Sequence, residues 1–188
     1  PGSELPIRLN WRVNDMLDVV DFAEPATPTS RPPVNVPGQL TGLAQHGAVL
    51  YLLGNAGACA GAAIDSREAL NACAYDGVAA YALDSLPLPK SWPRPVLVSD
   101  GVAYLATAAA DAGATNTLQA WRLSDSGRFR RLAQVQSPES FYALGRFGGL
   151  LAAQSASGQV SLFDTSTPST LRPLCQRGPA GCLWFDLN

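Results

Sequence analysis

The chain has 188 residues with 13 basic and 15 acidic side chains, a net charge of −2 that offers no basic field to nucleic acid. Charged residues make up only 15% while Gly and Pro number 17 and 15, a balance that suits short strands joined by tight turns rather than helices. No uninterrupted run of about 18 apolar residues occurs, which excludes a membrane-spanning helix in this segment.

Ile7 to Val13 alternates strictly between apolar and polar residues, the pattern of a half-buried strand. Leu17 to Phe22 predicts a second strand, ended by the turn residues Ala23-Glu24-Pro25-Ala26-Thr27-Pro28. Arg31 to Val36 is Pro-rich but extended and suits a sheet edge, where a missing N–H donor is tolerated. Gln39 to Leu53 predicts a strand, a Gly turn and another strand. Residues 59–73 then read as a loop inserted between two cysteines, with one helical turn expected over Ser66 to Leu70. Gly77 to Asp84 is expected to resume the sheet as a third strand, with Ser91 to Arg94 passing its edge.

The pattern then recurs. Pro95 to Ala106 repeats the hairpin, Thr117 to Leu123 the third strand and Phe129 to Val135 the fourth. Phe141 to Gly149, Leu150 to Gln154, Gly158 to Thr165 and Leu171 to Cys175 make a further round, and Cys182 to Asn188 starts one more strand. Two columns support a repeat: Gly47, Gly101 and Gly148 follow Leu43, Leu97 and Leu144 at the same spacing, and Val20, Tyr81, Trp121 and Phe163 mark the third strand. Periods of about 40 to 60 residues with four strands each are the signature of a β-propeller. The expected fold is therefore all-β, a small β-propeller of four blades of four strands. Its blades lie at about 39–94, 95–138 and 139–180, and the last joins 181–188 to 7–37, so that both chain ends close the ring and remove open sheet edges.

Leu17-Asp18-Val19-Val20-Asp21-Phe22-Ala23-Glu24-Pro25 and Val160-Ser161-Leu162-Phe163-Asp164-Thr165-Ser166-Thr167-Pro168 are apolar strands ending in Asp, then small or polar residues, then Pro. They resemble the repeat of bacterial LVIVD-type propellers. The likeness covers two of the four units, and Ala82 and Arg122 stand where the Asp is expected in the others. The resemblance implies a scaffold within a large secreted or surface-attached protein rather than a chemistry.

Cys59 and Cys73 bracket one stretch and Cys175 and Cys182 another, with no close Cys pair or histidine partner of the kind zinc requires. Two local disulfides are expected, each stabilising its loop by about 2–3 kcal/mol, and with them an oxidising compartment: extracellular, cell-surface or periplasmic. Pro1-Gly2-Ser3 reads as the remnant of a cleaved tag ahead of a single domain, 4–188, excised from a larger protein.

The chemistry-bearing residues are sparse. The one histidine, His46, falls in a turn without announced partners, and no nucleophile elbow or phosphate loop occurs. Asp100, Asp111, Asp125 and Asp186 fall near strand ends, where an Asp most often bonds local backbone. Asp65, Ser66 and Asn71 lack the dense acidic spacing of a calcium loop. Trp121 and Trp184 suit packing between blades, whereas Trp92, beside Lys90 and Arg94 at a Pro-bounded edge, is a candidate contact residue. Arg128, Arg130 and Arg131 form a small basic patch that suits a solvated strand face.

The favoured reading is a non-catalytic interaction or scaffold module without cofactor or metal, contacting a protein partner or a neighbouring domain of its own chain. The candidate contacts are Lys90, Trp92 and Arg94, with Asp65, Arg67 and Glu68 in the 59–73 loop. The alternatives are a glycan-binding, lectin-like propeller, and a hydrolase using an Asp pair such as Asp100 and Asp186 in the channel.

Overall fold

In a computed structural model, the chain is described over residues 15–56, 65–89, 95–108, 115–167 and 169–177, with the backbone alone for 55, 56, 65–67 and 175–177. Among these residues fourteen strands form four antiparallel sheets, with one short 3-10 turn at Gln45–Gly47. The first sheet pairs β1 (Asp15–Asp21) with β2 (Thr29–Val36). The second runs β3 (Gln39–Ala44), β4 (Val49–Ala56), β5 (Asp65–Tyr75) and β6 (Ala80–Pro87). The third is β7 (Val96–Ser99), β8 (Val102–Thr107), β9 (Asn116–Leu123) and β10 (Phe129–Ser137). The fourth is β11 (Phe141–Phe147), β12 (Leu150–Ser155), β13 (Val160–Asp164) and β14 (Arg172–Arg177). Every sheet is a meander in which chain neighbours are also sheet neighbours. The strands expected at 7–13 and 182–188, and the passage at Ser91 to Arg94, lie outside the described residues.

The core explains why the second strands read as unbroken apolar runs. Successive side chains of a strand point to opposite faces, and here both faces are covered. From β4, Val49 and Tyr51 enter a cluster shared with the third sheet, while Leu50 and Leu52 enter one shared with the first. From β8, Ala103 and Leu105 face the second sheet, while Val102, Tyr104 and Ala106 face Phe141, Leu151 and Phe163 of the fourth. Three successive sheet-to-sheet interfaces result. Each fully buried Leu, Val or aromatic contributes about 1.5–3 kcal/mol relative to exposure.

The first strands of the later sheets converge, β3 against β7 and β7 against β11. Gly42 permits the first of these approaches, because a Cβ there would lie 2.5 Å from the Val98 Cβ. The hairpin glycines behave as the spacing predicts: Gly47, Gly101 and Gly148 have φ of 90°, 70° and 58°. Asp100 (φ 50°) and Gly101 together form the two-residue turn with both φ positive that matches strand twist.

The second sheet departs from the expected register. Ser66 to Leu70 is not a helical turn in an insertion but part of β5, the third strand, so only residues 57–64 separate β4 from β5. Glu, Ala and Leu favour a helix locally, but Leu70 and Ala72 face the third sheet while Cys73 faces the first, and burial on both sides overrides the propensity. The stretch read as a third strand at Gly77 to Asp84 is therefore the turn into β6 and the first residues, Ala80 to Asp84, of that fourth strand.

Among the described residues seven connections, β1–β2, β3–β4, β5–β6, β7–β8, β9–β10, β11–β12 and β13–β14, gather at one end. Tyr75 N–H donates to the Ala48 carbonyl at 2.9 Å, joining the two turns of the second sheet. Gly77 lies beside Arg31 of the first sheet and Gly101 beside Ala44 of the second. Arg146 Nη1 donates to Ser99 Oγ at 3.0 Å, joining the fourth sheet to the third.

Candidate functional site

At this end β1 and the third strands of the other three sheets close with related side-chain devices. Asp21 Oδ1 accepts the Ala23 N–H at 2.9 Å. Asp76 Oδ1 accepts the N–H groups of Val78 and Ala79 at 2.9 and 2.8 Å. Asp164 Oδ1 accepts the N–H and hydroxyl of Ser166 at 2.9 and 2.6 Å. Ser124 Oγ takes the same place in the third sheet, accepting the Arg128 N–H at 3.2 Å. These are side-chain mimics of a backbone turn. The equivalent of Asp21 and Asp164 is thus Asp76 or Ser124, and not Ala82 or Arg122 as the sequence spacing indicated. The residue before each is Val20, Tyr75, Leu123 and Phe163, so Tyr75 and Leu123 replace Tyr81 and Trp121 in the repeat column.

The turns consume the carboxylates. Arg31 Nη2 donates to Asp21 Oδ2 at 2.5 Å, and this bond, with the Ala23 N–H, holds the Asp21 carboxyl below its ordinary range. Asp76 is lowered by the Ala79 and Val78 amides, and Asp164 by the Ser166 hydroxyl and amide. Arg146, largely buried, binds the Asp100 carboxylate across the interface of the third and fourth sheets.

Between the second and third sheets the same end opens into a cavity of roughly 500 Å³. Its wall is apolar, formed by Leu43, Ala44, Val49 and Leu123, with the Tyr51 ring beneath; its rim carries Gln45, His46, Asp100, Arg122 and Asp125. Tyr51 is buried, donates its hydroxyl to the Gly101 carbonyl at 3.4 Å and meets Phe129 at 5.9 Å between ring centroids. Burial pushes its phenol up, opposed by the Leu123 amide and the Arg122 charge. Gln45, His46 and Asp100 have φ of 49°, 57° and 50°, and are the non-glycine residues with positive φ among those described. Such conformations are costly and recur at functional positions. Among the described residues no three His, Cys, Asp or Glu side chains converge on a metal position, and no helix is long and apolar enough to cross a membrane.

The structure brings together Asp100 and Asp125, two of the four aspartates singled out in the sequence, with His46, read there as a turn residue without partners, and adds Gln45 and Arg122, which the sequence did not offer as site residues. Asp111 and Asp186 lie outside the described residues, as do Lys90, Trp92, Arg94, Cys59 and Cys182. Asp65 and Arg67 open β5, described in backbone only; Glu68 is half-buried, its carbonyl accepting the Leu88 N–H at 2.9 Å. Cys73 is fully buried in β5 opposite Leu50 and is disulfide-bonded. Cys175 is placed by its backbone in β14, opposite Leu162. Trp121 is partly covered: Arg131 lies 5.8 Å over its ring and its Nε1–H donates to Gln119 at 2.9 Å.

No protein family matches the chain, and no curated protein does. Among solved structures, the computationally designed Ika8 protein superposes with a TM-score of 0.49 at 13% identity, over 80% of this chain and 40% of that one. A protein from Lactobacillus plantarum gives a TM-score of 0.36 at 14% identity, over 87% of this chain and 62% of that one. The chain therefore spans less than two thirds of the length of either.

Proposed function

We propose that the chain closes as a four-bladed propeller and serves as a non-catalytic interaction module of a secreted or surface-attached bacterial protein, binding a protein partner or a neighbouring domain through its turn-bearing end. The observation that carries the reading is the use of the strand-end carboxylates. Asp21, Asp76 and Asp164 are committed to turn hydrogen bonds and Asp100 to Arg146, which leaves them structural rather than catalytic tasks. The same end exposes Phe22 at 62% and Val78 at 79% of their surfaces, apolar groups of the kind that partners cover.

Closure is supported by one face of the first sheet. Tyr75, Leu123 and Phe163 each face the sheet that precedes their own, whereas Val20, their counterpart, stands 46% exposed beside Met16 at 53%. That is the face a fourth interface would cover in a closed ring. The disulfide bond at Cys73 accords with an oxidising compartment, and the LVIVD-like units accord with a surface scaffold.

The test is co-purification of the full-length parent with its partner, comparing wild type with Phe22→Ser and Val78→Ser at the turn-bearing end and with Ser157→Ala at the other. Loss of a stoichiometric partner with the first pair alone is expected; equal retention in all three overturns the reading. A loop deletion must stay within 57–64, because 65–73 is a core strand.

A further inference from the structure

We infer that the cavity between the second and third sheets is a binding site for a short neutral saccharide. The inference concerns that pocket alone and stands whether or not the ring closes.

Among the described residues the rim leaves one cation and one anion unpaired. Asp100 is neutralised by Arg146. Arg122 at the end of β9 and Asp125 in the turn after it are solvent-exposed, and neither side chain has a hydrogen-bond or ion-pair partner among the described residues. One cation and one anion cancel, so a ligand with net charge of either sign meets a like charge at this rim. A neutral polyol does not. Each of its hydroxyls both donates and accepts, so one molecule can accept from the Arg122 guanidinium and the Gln45 amide and donate to the Asp125 carboxylate and the Gln45 carbonyl.

Shape agrees with this chemistry. The aliphatic wall of Leu43, Ala44, Val49 and Leu123 suits the C–H face of a sugar ring. A volume of roughly 500 Å³ that opens to solvent accommodates one or two rings and leaves a chain free to continue outward. Gln45, His46 and Asp100 hold left-handed backbone in tight turns of two different sheets, so the rim is held by the fold rather than by a long loop.

The test is titration of the chain with methyl glycosides of glucose, galactose, mannose and N-acetylglucosamine and with their β-linked disaccharides, read by calorimetry and by backbone amide shifts. Glycine, a zwitterion able to pair with both rim charges, and inorganic phosphate, a net anion, serve as controls. The expected result is saturable binding of at least one saccharide at a Kd of about 1 mM or tighter, little affected by raising salt, with shifts at 45–47, 100–101 and 122–125. Arg122→Ala and Asp125→Ala each weaken it about ten-fold or more, while Ser157→Ala at the opposite end leaves it unchanged; both alanine variants must keep the wild-type circular dichroism, and Arg122→Gln and Asp125→Asn replace them where they do not. Binding of glycine or phosphate in place of any saccharide, shifts confined to another surface, or no saturation by the whole panel overturns the inference.

Discussion

Gly42 offers a direct test of how closely the first strands approach. Its backbone lies outside the left-handed region, so alanine costs nothing in conformation there and, by restricting the unfolded chain, is worth up to about 1 kcal/mol. The geometry reverses the sign. The new Cβ would lie 2.5 Å from Val98 Cβ and 2.6 Å from Val98 Cγ1. Rotating the valine relieves the second contact only, since its Cβ is fixed by the backbone of β7. Overpacking of this kind costs about 1–3 kcal/mol, which leaves a net loss of about 1–2 kcal/mol for Gly42→Ala. For a domain of this size each kcal/mol lowers Tm by about 2–4 °C. Urea unfolding at constant m-value is the assay. A double-mutant cycle sharpens it: Val98→Ala keeps the offending Cβ and should leave Gly42→Ala costly, whereas in a Val98→Gly background the same substitution should cost nothing. A Gly42→Ala variant with a raised urea midpoint would refute the close approach of β3 to β7.

Three further outcomes follow from the hydrogen bonds. The carboxyls of Asp21, Asp76 and Asp164 are lowered in the fold, so their contribution to stability is complete above the unfolded carboxyl pKa of about 4 and fades as pH falls through the folded values; urea midpoints measured from pH 6 to pH 2 should fall, and the triple Asn variant should show a flatter profile. Tyr104 buries a hydroxyl with no partner among the described residues, whereas its counterpart Tyr51 donates to Gly101. Tyr104→Phe should therefore be neutral or stabilising and Tyr51→Phe should cost about 0.5–1.5 kcal/mol by the same assay. Asp84 accepts the Phe129 N–H at 2.7 Å and Arg128 Nη1 at 3.1 Å, linking β6 to β10; Asp84→Ala should cost about 1–3 kcal/mol, chiefly through the stranded, half-buried amide, seen as faster hydrogen exchange at Phe129.

The strand pattern was legible where the local code and the tertiary environment agree. Gly47, Gly101 and Gly148 stand out because a two- or three-residue turn between twisted strands needs positive φ, and the runs at 49–53 and 102–106 stand out because both faces of those strands are buried. The third strand of the second sheet was not legible. Arg67-Glu68-Ala69-Leu70-Asn71-Ala72 carries helix-favouring residues, and its strand character comes from two neighbouring sheets that no short window contains. One misplaced strand then shifted the repeat, hiding Asp76 behind Ala82.

The cavity was hidden for a different reason. It is assembled from the β3–β4 turn, the β7–β8 turn and the end of β9, positions that become neighbours only through the packing of two sheets. Asp100 and Asp125 could be singled out because an Asp at a strand end is conspicuous, but the same conspicuousness attaches to Asp21, Asp76 and Asp164, which the fold uses for turns. What sets Asp125 apart from these, and from Asp100 with its Arg146 partner, is whether the side chain is already paired. Asp125 has none among the described residues and lies three positions from an equally unpaired Arg122. Free hydrogen-bonding groups thus stand at one seam between sheets, where the second and third sheets supply apolar side chains and the turns supply the rim.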